Sequence, residues 1–269
     1  MRTETPEAGT PLVVLDAGNS RLKAVVIDPR RHLPVLAVPA GGGLADLPAP
    51  EPVGQWELPA ADDPAAAALA AAAAAAVRAR SAGPVVLVSV VPAWTELLRG
   101  ALPGLAVLEH GWTMPFLWDV AQASAVGPDR IANVAMAAAW GLQDALVVDA
   151  GTATTFDLLD GGAFKGGLIA PGMAFAAAKL GEYAARLAPV PFGPCPLEVG
   201  TDTAGAMAAG AWHTSFFGVN GTIEALLKAY GPRPVILTGG LGRFLAVEGR
   251  HVDPFWTLRG AGWLYLQQG

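Results

Sequence analysis

One design occurs twice in this sequence and limits what the chain can become: an apolar run ending in Asp-Ala-Gly, a short polar turn, and an apolar run that returns. The first copy is Leu12 to Asp28, LVVLDAGNSRLKAVVID, and the second is Leu146 to Asp160, LVVDAGTATTFDLLD. Apolar runs flanking a turn of Gly with Asn, Ser or Thr read as β-hairpins. Each copy sets a carboxylate, Asp16 or Asp149, at a strand end beside a glycine that lets a ligand come close to the backbone. Asn19 and Ser20 in one turn, and Thr152, Thr154 and Thr155 in the other, can donate to phosphate oxygens. Turn amides converging on the same gap make an anion nest. Either copy alone is best read as an ordinary turn; the repetition predicts two related halves facing one site.

The rest of the composition narrows the function. A chain of 269 residues buries an ample core as one large domain or two small ones. Its net charge of −6 argues against nucleic acid as the main partner, because a phosphate backbone calls for a basic stripe. The single cysteine, Cys195, permits no internal disulfide and suits a reducing cytosol. The opening MRTETPEAGTP is polar and acid-bearing, unlike a signal peptide. The alanine run from Pro64 to Val77 is shorter than the roughly 20 apolar residues of a membrane span. Asp63 as N-cap, Pro64 at the first helical position, and Arg78 with Arg80 at the far end mark it as a helix outside the membrane. A cytoplasmic protein is the expectation.

Along the chain, Leu33 to Val38 predicts a third strand, and a short edge strand is expected around Trp56. Gly41-Gly42-Gly43 opens no helix and precedes no Lys-Ser/Thr pair, so it reads as a turn. Val85 to Val90 reads as a buried parallel strand, followed by a short helix from Pro92 and a strand at Leu105 to Leu108. The boundary between halves is expected in the Trp112 to Asp119 region, giving halves of 1–115 and 116–269. The second half holds a helix after Gly127-Pro128-Asp129-Arg130, the second hairpin, and a strand from Ala163. It continues with a helix from Pro171 to near Leu187, one or two helices from Glu198 to Tyr230, a strand at Val235 to Leu237, and a closing helix from Pro254.

Asp129 and Arg130 stand at a predicted helix N-terminus. Asp129 reads as an N-cap, or as an acid that accepts a proton from a hydroxyl. Arg130 gains nothing from the helix dipole there. It is either an ion-paired surface residue or a bidentate clamp for a carboxylate.

The paired hairpins resemble the phosphate-binding device of the superfamily that includes actin, the sugar and acetate kinases and the heat-shock ATPases. The ordered series of motifs resembles the type III pantothenate kinases within it. The series is Asp16-Ala17-Gly18-Asn19-Ser20, Ser89-Val90-Val91-Pro92, Gly127-Pro128-Asp129-Arg130 with Asn133, and Asp149-Ala150-Gly151-Thr152-Ala153-Thr154-Thr155 with Asp157. It ends with Gly166-Gly167-Leu168-Ile169-Ala170-Pro171-Gly172, Gly200-Thr201-Asp202-Thr203 and Leu237-Thr238-Gly239-Gly240.

The resemblance implies an α/β fold of two actin-like, ribonuclease H-like halves. Each half would have a mixed five-stranded sheet flanked by helices, with a nucleotide cleft between them. It implies ATP phosphates against Asp16, Ala17, Gly18, Asn19, Ser20, Arg21, Leu22, Lys23 and Thr152, with Mg2+ accompanying the nucleotide. A monovalent cation, K+ or NH4+, would sit at Asp149. Asp129 would be the base acting on the primary hydroxyl of pantothenate, and Gly127, Pro128, Asp129 and Arg130 would line its site. Thr203 would reach that site from the neighbouring subunit of a homodimer.

Two features depart from the family pattern. A tyrosine usual ahead of the Gly-x-Asp-Arg motif is missing from the segment Trp118 to Val126, where Trp118 is the nearest aromatic, and Pro128 replaces a smaller residue. Two other readings stay open: another small-molecule kinase on the scaffold, or a catalytically silent homologue that binds a nucleotide or metabolite and acts as a regulatory accessory protein.

Overall fold

The computed structural model describes residues 10–34, 44–183 and 190–268. The first hairpin forms where its pattern placed it. Strand β1 (Leu12–Ala17) pairs antiparallel with β2 (Arg21–Ile27), Asp16 opposite Lys23. Helix α1 (Pro29–His32) follows, because Asp28 caps it by accepting from the Arg30 N–H at 2.9 Å and Pro29 is fitted to a first helical turn. Its last residue, His32, accepts the Asp28 N–H on Nδ1 at 2.9 Å.

That turn replaces the start of the strand expected at Leu33 to Val38: Leu33 ends α1, and Val35 to Val38 lie outside the described residues. Gly41 to Gly43 and the polar start of the chain up to Gly9 also lie outside them. The sheet's third strand is instead β3 (Glu51–Glu57), longer than the short edge strand expected around Trp56.

The alanine run forms α2 (Ala65–Arg80), with the Asp63 carboxylate accepting from the Ala65 N–H at 2.8 Å. Strand β4 (Val85–Ser89), helix α3 (Pro92–Ala101) and strand β5 (Ala106–Val107) complete a five-stranded sheet ordered β3-β2-β1-β4-β5. Alternation decides its two faces. Leu15, Ala17, Leu22, Ala24 and Leu87 meet the alanines of α2 and Trp94 of α3 in one cluster. Val14, Asp16, Lys23 and Val88 therefore point to the opposite face.

Strand β6 (Leu117–Trp118), helix α4 (Pro128–Ala139), strands β7 (Ala145–Ala150), β8 (Ala153–Asp160) and β9 (Ala163–Pro171) and helix α5 (Met173–Tyr183) come next. The expected end of α5 near Leu187 lies outside the described residues. One continuous helix, α6 (Thr203–Tyr230), occupies the stretch that allowed one or two. Strands β10 (Val235–Thr238) and β11 (Arg250–Val252) and helix α7 (Trp256–Leu266) end the order. The second sheet runs β11-β10-β7-β8-β9-β6, so the two-residue β6 adds a sixth strand to the five anticipated. Among the described residues no helix is long and apolar enough to cross a membrane.

By their contacts the residues fall into two compact units. One is 1–143 with 159–166 and 255–269, and the other is 144–158 with 167–254. In the first, α7 lies against α4 and against the β1 face opposite α2. A side chain at Gly260 would strike the Ala132 carbonyl, and one at Gly262 would meet Val14 and Ile27. In the second, Leu146, Val148, Phe156, Val235 and Leu237 pack beneath Trp212, Val219 and Ile223 of α6.

Candidate active site

In the first unit, the hairpin turn closes with the Gly18 N–H donating to the Arg21 carbonyl at 3.0 Å, leaving Asn19 and Ser20 exposed. Arg21 turns outward to an exposed ion pair with Glu57 at 2.8 Å. Its exposure limits that pair to a small contribution. Asp16 and Lys23, cross-strand partners, share the face away from α2.

Gly127 precedes α4, Pro128 opens it, and Asp129 and Arg130 form its first turn. One Asp129 carboxylate oxygen accepts the Arg130 N–H at 2.8 Å, but the N-cap is Gly127, so Asp129 lies inside the first turn and is not the N-cap expected from the sequence. The fold brings Asp129 close enough to Asp16 for its charge to matter there. The half-buried Asp16 carboxyl is pushed from its ordinary value of 3.8 to about 6, chiefly by burial; Lys23 opposes the shift and Asp129 adds to it. Burial also raises Asp129, opposed by the Arg130 N–H and its charge. A buried acid whose pKa is lifted toward neutrality is the state a general base needs.

Arg130 lies over the Phe164 ring at 5.6 Å from its centroid. One turn further along α4, the fully buried Asn133 is gripped by α7. Thr257 donates to its Oδ1 at 2.8 Å and Trp256 to its carbonyl at 2.9 Å.

In the second unit, Asp149 ends β7, and its parallel partner on β10 is Thr238. Val148 and Leu237 face α6, so Asp149 and Thr238 emerge together on the other face. The Thr238 hydroxyl is buried and makes no hydrogen bond. Gly239, at φ +79°, lies so close to the Asp149 carboxylate that a side chain there would overlap it. Among the described residues no group of three His, Cys, Asp or Glu side chains forms a metal cage. An ion at Asp149 would therefore draw on hydroxyl, backbone and ligand oxygens. An unsatisfied buried hydroxyl beside a single carboxylate fits a weakly held, oxygen-liganded cation. Thr152 is exposed in the second hairpin turn, its carbonyl accepting from the Gly172 N–H at 3.1 Å. Thr203 is exposed as the first residue of α6, beside the capping Asp202.

Three groups were passed over in the sequence reading. Thr238 enters that reading only within the motif Leu237-Thr238-Gly239-Gly240, although its place at a strand end is a usable signal. Thr257 and Phe164 carried none, since their relation to α4 exists only in the folded chain.

A family model for type III pantothenate kinase matches residues 12–226. A protein of Acidiphilium cryptum named type III pantothenate kinase is 37% identical over 196 residues, covering 68% of this chain and 72% of that one. Another of that name from Desulfosudis oleivorans is 41% identical over 143 residues, covering 50% of this chain and 55% of its own. The chain thus spans little more than half the length of that relative. Among solved structures, a ROK family glucokinase from Streptomyces griseus in complex with glucose and AMPPNP aligns with TM-score 0.52 and 11% identity, over 96% of this chain and 99% of its own. The ethanolamine utilization protein EutJ from Carboxydothermus hydrogenoformans aligns with TM-score 0.52 and 15% identity, over 98% and 92%. These likenesses show the fold, the actin-like mixed α/β arrangement of the sugar kinases.

Proposed function

The chain belongs to the type III pantothenate kinase family, and from that premise we propose that it phosphorylates the primary hydroxyl of pantothenate with ATP in the cytoplasm, the first step of coenzyme A biosynthesis. The observation that carries the reading is Asp129: a half-buried carboxylate of raised pKa on the first turn of α4, beside Arg130 and felt electrostatically by Asp16 of the first hairpin.

Asp129 orients the pantothenate hydroxyl and takes its proton as the oxygen attacks the γ-phosphorus. The bond from that phosphorus to the β,γ-bridging oxygen breaks, and ADP leaves with the electron pair. Such transfer is positioning and charge stabilisation more than covalent work by the protein. Residues Asp16 to Lys23 and Thr152 are the phosphate-contacting set, with Lys23 as its cation. Arg130 takes the pantothenate carboxylate, with Gly127 and Pro128 forming the wall.

Members of a kinase family use ATP with a divalent ion, here Mg2+, which neutralises phosphate charge. Asp16 suits it, because a nearby dication favours the ionised form that burial disfavours. Asp149 with Thr238 would hold K+ or NH4+.

A homodimer belongs to the same reading. Ile169, Phe175, Leu197, Val199 and Phe217 of the second unit are exposed, with Val199 at 94%. Exposed apolar side chains are what a subunit contact would cover, and Thr203 would serve the partner's pantothenate site from such a contact.

The deciding experiment is a coupled ADP-release assay with ATP, Mg2+ and pantothenate, in K+ and then in Na+. Pantothenate-dependent release supports the kinase. Folded protein that releases none in either salt refutes it and favours a different substrate or a silent binding protein.

A further inference from the structure

In the second unit, one enclosed acid has no part in the chemistry derived above. Asp157 lies near the middle of β8, fully buried. Alternation decides which face it takes. Phe156 of β8, Val148 of β7 and Leu237 of β10 all pack beneath α6, so Thr155, Asp157, Asp149 and Thr238 emerge together on the other side. A carboxylate in a strand interior carries a desolvation cost that an apolar residue there would not.

The three strands are neighbours in the order β10-β7-β8. Thr238 is the parallel partner of Asp149 on one side. On the other side the hairpin closes with the Gly151 N–H donating to the Ala153 carbonyl at 3.0 Å. Asp149 and Thr155 each stand two residues back from that bond along their strands. Asp149 is thus flanked by a threonine on each neighbouring strand, at the roughly 4.8 Å spacing of a sheet.

The two hydroxyls are prepared differently. That of Thr238 is buried and makes no hydrogen bond. That of Thr155, a buried residue, donates to Oδ2 of Asp157 at 3.1 Å. A hydroxyl has one proton to give and two lone pairs. With its proton committed to Asp157, the Thr155 oxygen can turn only lone pairs toward Asp149. That is the wrong state for donating to a phosphate, the part that the sequence alone allows Thr155. It is the right state for a ligand to a hard cation, which takes oxygen donors.

We propose that Asp157 is a positioning residue for the monovalent cation: it takes the Thr155 proton and so adds the Thr155 oxygen to the donors Asp149 and Thr238. This rests on the reading of Asp149 as a K+ or NH4+ site, and it extends that site to an acid that does not touch the ion.

The test titrates KCl against choline chloride at constant ionic strength on the full chain and reads the melting temperature and pantothenate-dependent ADP release. An ion that binds the folded state raises its melting temperature, so the parent should melt higher in KCl. The Asp157→Asn amide can donate to the Thr155 oxygen and occupy a lone pair. That variant should raise the K+ concentration for half-effect about three- to tenfold in both readouts. At saturating K+ its kcat and its KM for ATP should stay within about twofold of the parent's. Thr155→Val should shift the K+ dependence as much or more, and Thr155→Ser should behave as the parent. In a Thr155→Val background, Asp157→Asn should add nothing. An acid of purely structural use would lower the melting temperature in both salts and leave the K+ dependence in place, and that outcome overturns the proposal. So does a shift that persists without the Thr155 hydroxyl. If Asp157→Asn does not fold, Thr155→Val decides, and an unchanged K+ dependence there overturns the proposal. A parent that melts alike in both salts and is not stimulated by K+ overturns the cation reading and the proposal with it. A parent stabilised by K+ but without pantothenate turnover overturns the kinase reading, while the melting measurements still decide on Asp157.

Discussion

Asp16 and Asp129 are acids in surroundings that disfavour their charges, and that cost is measurable. The folded Asp16 carboxyl titrates at about 6 against an ordinary 3.8. Between those values the folded chain holds this proton more tightly than the unfolded chain does. Raising the pH through that window therefore removes stability, and above about 6 the penalty is constant. Asp16→Asn should melt at a higher temperature than the parent, with a gap that widens from about pH 4 to about pH 6 and then levels off. A gap that stays flat across the window would place the carboxyl at its ordinary value. Asp129→Asn should fold at least as stably, because it too relieves a buried charge, yet lower kcat roughly 100-fold or more. Unchanged turnover would remove Asp129 from the role of base. The residues of this pair were legible in the sequence, since Asp-Ala-Gly at a strand end and Asp at a helix start are local signals. The influence of Asp129 on Asp16 was not, because α4 and β1 are far apart in the chain and meet only by packing.

At the scale of elements, one junction in each unit positions candidate residues. The first is the grip of α7 on α4, where Thr257 satisfies the buried Asn133 oxygen at 2.8 Å. Thr257→Val removes that donor from the buried Asn133. It should cost about 1–3 kcal/mol in denaturant unfolding, and Thr257→Ser should recover most of that. A null effect would mean Asn133 finds another partner at no cost. The second junction is the parallel pairing of β7 with β10, which sets Asp149 beside the unsatisfied Thr238 hydroxyl. Asp149→Ala should abolish stimulation by K+, and Thr238→Val should weaken it by raising the K+ concentration for half-stimulation. Stimulation that survives Asp149→Ala would place the ion elsewhere. Periodicity found these elements where apolar alternation was strong, as in β1, β2, β7 and β8. Of the strand expected at Leu33 to Val38, Leu33 caps α1 and Val35 to Val38 lie outside the described residues, while the third strand of the described sheet is β3. Strand β3 was underrated because Pro52 and Gly54 interrupt it. It survives as an edge strand against β2, with a register shift at Ala24 and Val25.

For the molecule as a whole, the exposed apolar residues of the second unit predict association. Light scattering should give twice the chain mass, and Phe217→Asp should reduce it toward one chain while lowering turnover, if Thr203 serves the neighbouring copy. A parent that stays at one chain mass and is fully active would exclude that arrangement. The two-sheet plan was legible because the hairpin repeats, whereas the way the chain allots its last helix was not.

That allotment bears on how the protein is made. Helix α7 belongs to the unit that begins with β1, and it covers the sheet face on which Asp16 emerges. About 240 residues separate the two. At the usual pace of synthesis the first strand waits roughly 12 to 50 s for its cover. During that interval the growing chain exposes Val14 and Ile27, so the unit that carries Asp16 is assembled last although its sequence comes first. Nascent chains arrested before Trp256 should accordingly be protease-sensitive across β1 and β2.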